Sequence, residues 1–165
     1  MLYGGIYHNT LNFIASNTHE RDRAAVRFLE NECGVTLAVV GEMFDFVTRE
    51  VVTDVHRALF LDAKEFGFGG YAVWAYQLIV WGDEILSQKE KIAESIADLS
   101  GQMGVRWSYL NVINIEDKTS TIFLPEKVGR ESFSRVFGIE FSEEWTHLPM
   151  VILRKQIMIK LREFA

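Results

Sequence analysis

Apolar residues fall at helical spacing in several stretches of this chain and alternate in another. Ala25, Leu29 and Cys33 recur every four residues behind Asn17 and Thr18, which suit a helix cap, and Glu20 and Asp22, which suit a first turn. The spacing predicts a helix over 19–33, closed by Gly34. Phe44, Val47, Val51, Val55 and Leu59 mark one face of a longer helix that begins after Gly41 and ends at Gly67. The β-branched run REVVTDV weakens that reading. Ser87 and Glu90 form a capping-box pattern ahead of Ile92, Ile96, Leu99 and Met103, which predicts a helix over 88–103 closed by Gly104. A short helix over 131–137 ends at Gly138, and Pro149 suits the first turn of a final helix with Met150, Leu153, Ile157, Leu161 and Phe164 inward.

The period changes to two at Val105, Trp107 and Tyr109, the acidic turn Glu116–Ser120 follows, and TIFLP returns, so residues 105–125 read as a hairpin. Leu2–Tyr7 and Leu11–Ala15 read as short strands, and Val35–Val40 fits either a strand or a buried helix. The expectation is an α+β chain, mostly helical, with about five helices and a small antiparallel sheet or hairpin, in a single domain over 1–165.

Charge narrows the possible partners. The net charge is −6, and the first hundred residues carry 15 acids against 8 bases while the remainder carry 8 against 9. Such a surface repels phosphate backbones, so direct nucleic-acid binding is not expected. The one cysteine, Cys33, excludes an internal disulfide framework and suits a reducing, cytoplasmic setting. The longest apolar stretch, Tyr71–Trp81, is 11 residues, half of what a membrane span needs, and the first residues lack a leader pattern.

The segment FGFGGYAVWAYQLIVWGDE, residues 66–84, holds Gly67, Gly69 and Gly70. No Lys-Ser or Lys-Thr follows, so it is no phosphate loop, and a dinucleotide fingerprint would need a strand before it. Helix termination and a hinge fit better. Trp74 and Trp81 are seven residues apart, which places them on one face if the stretch is helical. That face is either core or a partner-facing patch. Trp81 is followed by Asp83 and Glu84, and Glu143 and Glu144 precede Trp145. Two groups of carboxylates beside indole rings suit a cationic partner, through charge-assisted bonds and cation–π contact.

Catalytic signatures are absent. The four histidines have no metal-protease spacing, and Glu144-x-x-His147 is only half of a carboxylate di-iron pattern, so no metal and no cofactor is expected. Cys33 sits at a helix C-terminus, where the dipole disfavours a thiolate. Small size, acidity and these two clusters point to a protein-binding module without enzymatic activity. The expected role is an inhibitor or immunity-type protein that masks the basic active site of a toxin or nuclease, with Trp81, Asp83, Glu84, Glu143, Glu144 and Trp145 at the contact. Two alternatives stand beside it: a hydrolase or nuclease-like enzyme with histidines gathered by folding, and a subunit of a larger phage or secretion assembly.

Overall fold

A computed structural model describes residues 2–15 and 17–164. Among them the chain runs α1 (Leu2–Thr10), α2 (Glu20–Cys33), α3 (Leu37–Thr53), α4 (Val55–Asp62), β1 (Lys64–Phe68), β2 (Tyr71–Val80), α5 (Lys89–Met103), β3 (Trp107–Asn114), β4 (Thr119–Phe123), α6 (Lys127–Phe137), β5 (Trp145–Leu148) and α7 (Arg154–Glu163). The strands form one mixed sheet in the order β1-β2-β3-β4-β5. β2 and β3 are parallel, which requires a crossover, and α5 supplies it. The other neighbours are antiparallel. The expectation of five helices with a small antiparallel hairpin is therefore corrected to seven α-helices and a five-stranded mixed sheet. No helix of the described residues is long and apolar enough to cross a membrane.

Coverage of both sheet faces explains the main misreading. Trp74, Tyr76, Leu78 and Val80 of β2 pack with Leu59 of α4 and Ile92, Ile96 and Leu99 of α5. Val73 and Ala75, which point the other way, pack with Tyr109, Phe133 of α6 and Ile157 and Leu161 of α7. With both parities buried, alternation disappears from the sequence, and 71–80 reads as a continuous apolar run. Gly69 and Gly70 are not a hinge but the two central residues of a hairpin turn, at φ 57° and 80°. Phe68 pairs with Tyr71 directly across it, as in the primed turns that match strand twist.

Other elements move for local reasons. Residues 2–10 are helical, with Tyr3, Tyr7 and Thr10 buried at spacings of four and three, and not a strand. Leu11, Asn12 and Phe13 then take left-handed backbone angles, φ 47°, 56° and 64°, where a second strand was expected. Val35–Val40 enters α3, whose Val40 and Phe44 join Tyr3, Tyr7, Ile79, Ile113 and Ile115 in a third core cluster. The long helix expected up to Gly67 breaks at Asp54, whose carboxylate accepts the Arg57 N–H and starts α4. The Ser87–Glu90 capping box does not form, because the Ser87 hydroxyl donates to the Glu84 carbonyl inside a 3-10 turn over Glu84–Gln88. The helices expected over 19–33, 88–103 and 131–137 are present as α2, α5 and α6, with Gly34, Gly104 and Gly138 left-handed at their ends.

Candidate functional site

The final helix starts at Arg154 and not at Pro149. Residues 149–153 are spent crossing the sheet, and a row of buried polar side chains dictates their path. Ser120 on β4 accepts the Ile152 N–H at 3.0 Å. Asn111 on β3 donates its amide to the Ile152 carbonyl at 2.6 Å. Gln77 on β2 accepts the Arg154 N–H at 2.8 Å. Three adjacent strands thus each hold the same short strap, in the gap between the core clusters of α6/α7 and α1/α3. Ser120 and Asn111 are fully buried, where an unpaired polar group would cost ~1–3 kcal/mol, so each bond fixes the strap's register strongly.

The strap delivers Arg154 onto Asp62 at the end of α4. The guanidinium donates to both carboxylate oxygens and to the Asp62 carbonyl, and the Gln77 N–H donates to Asp62 Oδ2 at 3.0 Å. Asp62, Gln77 and Arg154 therefore close on one another as a rigid wall. Arg154 is largely buried there, with 16% of its side chain exposed.

Two clefts flank this wall. One, of ≈ 500 Å³, lies between the end of α1 and the start of α7. Its polar lining is His8, Asn9, Asn17, Gln77, Arg154 and Lys155, and no carboxylate lines it. Leu11, from the left-handed turn, and Leu153, from the strap, supply apolar lining. Backbone held in that region costs ~1–3 kcal/mol per residue and concentrates at ligand sites. The other cleft, of ≈ 580 Å³, lies between α3, α4 and β2, and it mixes Val47, Val51 and Leu61 with Glu50, Asp54 and Arg57.

The electrostatics of the first cleft run against the protein's overall charge. Arg154 and Lys155 occupy the first two positions of α7, where the helix dipole disfavours cations by ~0.3–1 kcal/mol each and favours anions. Lys64 projects onto the same sheet face, since Phe66, two residues further along β1, packs with Ile157 and Leu161 of α7. Among the described residues neither Lys64 nor Lys155 is in an ion pair. Lys155 thus stands at a helix N-terminus beside an Arg154 whose charge Asp62 offsets, a setting that favours an anion. Placing the helix start at Pro149 hid this, because it moved Arg154 and Lys155 into mid-helix.

The six residues expected at a partner contact are not brought together. Trp81 is half-buried just past the end of β2, its ring stacked on Phe44 at 6.0 Å and its backbone N–H donating to Thr48 Oγ1. Asp83 accepts a bond from Asn114 Nδ2 at 3.1 Å and helps hold the ends of β2 and β3, and Glu84 is exposed in the 3-10 turn. Trp145 lies four strands away from β1 on β5, half-buried on Phe123 at 4.4 Å, and the Lys89 ammonium sits 5.2 Å over its ring. Glu143 and Glu144 are exposed in the bend before β5. The histidines are dispersed as well. His8 stacks on Phe44, His56 meets Asp98 at 3.1 Å on the surface, and His147 meets Thr121. Hydrogen bonds from Gln102 and then His56 hold the Asp98 carboxyl below its usual range. Among the described residues no three His, Cys, Asp or Glu side chains gather as a metal site.

Known proteins give this geometry a context. No protein-family model matches the chain. It is 26% identical over 161 residues to a protein named "Probable manganese-dependent inorganic pyrophosphatase" from Staphylococcus carnosus, covering 96% of this chain and 52% of that one. A protein of the same name from Lactobacillus delbrueckii subsp. bulgaricus is 25% identical over 162 residues, with the same coverage. The chain spans about half the length of the curated relatives it matches. Its fold matches the crystal structure of a Methanococcus jannaschii protein assigned to the family II inorganic pyrophosphatases, with a TM-score of 0.75 and 21% identity, over 96% of this chain and 52% of that one. Both curated relatives are named as inorganic pyrophosphatases. These likenesses overturn the expectations of an inhibitor or immunity protein, of a chain without enzymatic activity, and of a basic toxin or nuclease as partner.

Proposed function

We propose that the chain is part of a pyrophosphatase-like hydrolase and that the α1–α7 cleft binds the phosphoanhydride. The observation that carries this reading is the carboxylate-free cleft, with Arg154 and Lys155 at a helix N-terminus, in a protein of net charge −6. The relatives' names supply the ligand class, a diphosphate. Its oxygens would take the Lys155 and Gln156 N–H groups, which the first turn of α7 leaves without carbonyl partners, and the Lys155 ammonium. Arg154, already oriented by Asp62, would present its remaining N–H groups in fixed geometry, and positioned cations of this kind offset charge that shifts between oxygens during phosphoryl transfer. His8, Asn9 and Asn17 face them from the opposite wall. The relatives are described as manganese-dependent, and the described residues do not fit that ion, since they gather no set of three metal-ligating side chains. The steps derived for this chain are therefore binding and charge stabilisation.

Calorimetric titration of the chain with inorganic pyrophosphate tests the reading. Saturable binding is expected, weakened about tenfold in Lys155→Glu by the loss of an attractive charge and the gain of a repulsive one. Failure to bind pyrophosphate, or equal affinity in that variant, would overturn it.

A further inference from the structure

We infer that the α1–α7 cleft takes its phosphoanhydride as the free anion, with no divalent cation bridging ligand and protein. The inference rests on the proposed function and is set against the manganese dependence in the relatives' names. The donor set of the cleft argues it. Manganese favours carboxylate, carbonyl and water oxygen, and among these the carboxylates offset its charge. The lining offers His8 and the neutral amide oxygens of Asn9, Asn17 and Gln77, the last already taken by the Arg154 N–H, and no carboxylate. The wall's own carboxylate is already committed: Asp62 Oδ2 accepts from the Gln77 N–H and from Arg154, and Oδ1 accepts from Arg154 at 3.3 Å. Recruiting it to a metal would release Arg154 and dismantle the wall.

Charge points the same way. A divalent ion riding on the ligand would face Lys155 and the positive end of α7, beside an Arg154 whose charge Asp62 already offsets. It would also cancel part of the negative charge those groups attract. Metal and cleft therefore compete for the same phosphate oxygens. The amide groups of Asn9 and Asn17 are neutral donors and acceptors, suited to the ligand's oxygens and not to neutralising a cation.

The test is calorimetry on the full chain with inorganic pyrophosphate, once with EDTA and once with manganese in excess over pyrophosphate. Binding is expected with EDTA, weakened on the order of tenfold by manganese. A manganese titration without pyrophosphate is expected to show no saturable site. In Lys155→Glu the gap between the two conditions should narrow, because fewer positive charges remain to be opposed. Equal or tighter binding with manganese overturns this inference and leaves the proposed function standing. Absence of binding in both conditions overturns the proposed function and this inference with it.

Discussion

The two faces of the sheet are built to different rules. The face under α4 and α5 is nearly pure hydrocarbon: Trp74, Tyr76, Leu78, Val80, Leu110 and Val112 meet Ile92, Ile96 and Leu99 with almost no exposure. Its buried polar content includes a short chain of hydroxyls, Tyr76 to Ser100 to Ser108, and at its edge the half-buried Glu126, which accepts the Ser108 N–H. The opposite face has two apolar clusters separated by Gln77, Asn111 and Ser120, and the strap over them ends in the cationic cleft. A continuous core maximises buried area, while an interrupted one gives up some area to specify where one segment lies. The first face therefore contributes packing alone, and the second combines packing with the placement of Arg154 and Lys155.

The largest expected effect breaks the first face alone. Ile96→Ala removes a fully buried side chain and should cost about 3 kcal/mol in urea denaturation, with pyrophosphate affinity of the folded fraction unchanged. Loss of affinity in parallel with stability would show that the faces are not separable. Lys155→Glu is the reciprocal change. Its side chain is exposed, so stability should stay within about 0.5 kcal/mol while affinity falls about tenfold. Gln77→Met sharpens the contrast, because it keeps the side-chain volume and deletes the acceptor for the Arg154 N–H. A loss of about 1 kcal/mol is expected, with faster amide exchange at Arg154 and a several-fold weaker complex. Unchanged exchange at that amide would show that the strap does not depend on Gln77.

The smallest effect is a pH dependence on the stable face. Burial pushes the Glu126 carboxyl above its ordinary value of 4.5, against the opposing bond from the Ser108 N–H. An acid raised in the folded state holds its proton better folded than unfolded. Its stabilising contribution is complete below 4.5 and is lost as the pH rises through the higher folded value. Glu126→Gln retains an acceptor for Ser108 and does not titrate. The stability of the native chain relative to this variant should fall across that window, and a constant difference in urea midpoints would contradict the shift.

Helices with clear caps were legible in the chain, and the site was not. α2, α5 and α6 each pair a one-sided apolar stripe with a terminal glycine, so spacing alone located them. β2 was opaque because Trp74 and Ala75 are both buried, on opposite faces. The Gly69-Gly70 pair was the available sign of a hairpin, since two adjacent residues of free φ between apolar runs suit a primed turn. The cleft depended on α7 starting at Arg154. Nothing near Pro149 announces that start, because Asn111 and Ser120, more than thirty residues away in the chain, hold Ile152 extended. The pairing of Asp62 with Arg154 spans 92 residues and left no local pattern.

By itself the sequence determined the periodic elements, the acidic excess and the lack of any local catalytic signature, because spacing and composition are properties of neighbours along the chain. Tertiary structure alone decided which face each strand presents, where the last helix begins, and that a few cations stand together in an acidic protein. Those outcomes follow from bonds between side chains on separate strands, and such bonds exist only once the sheet has assembled.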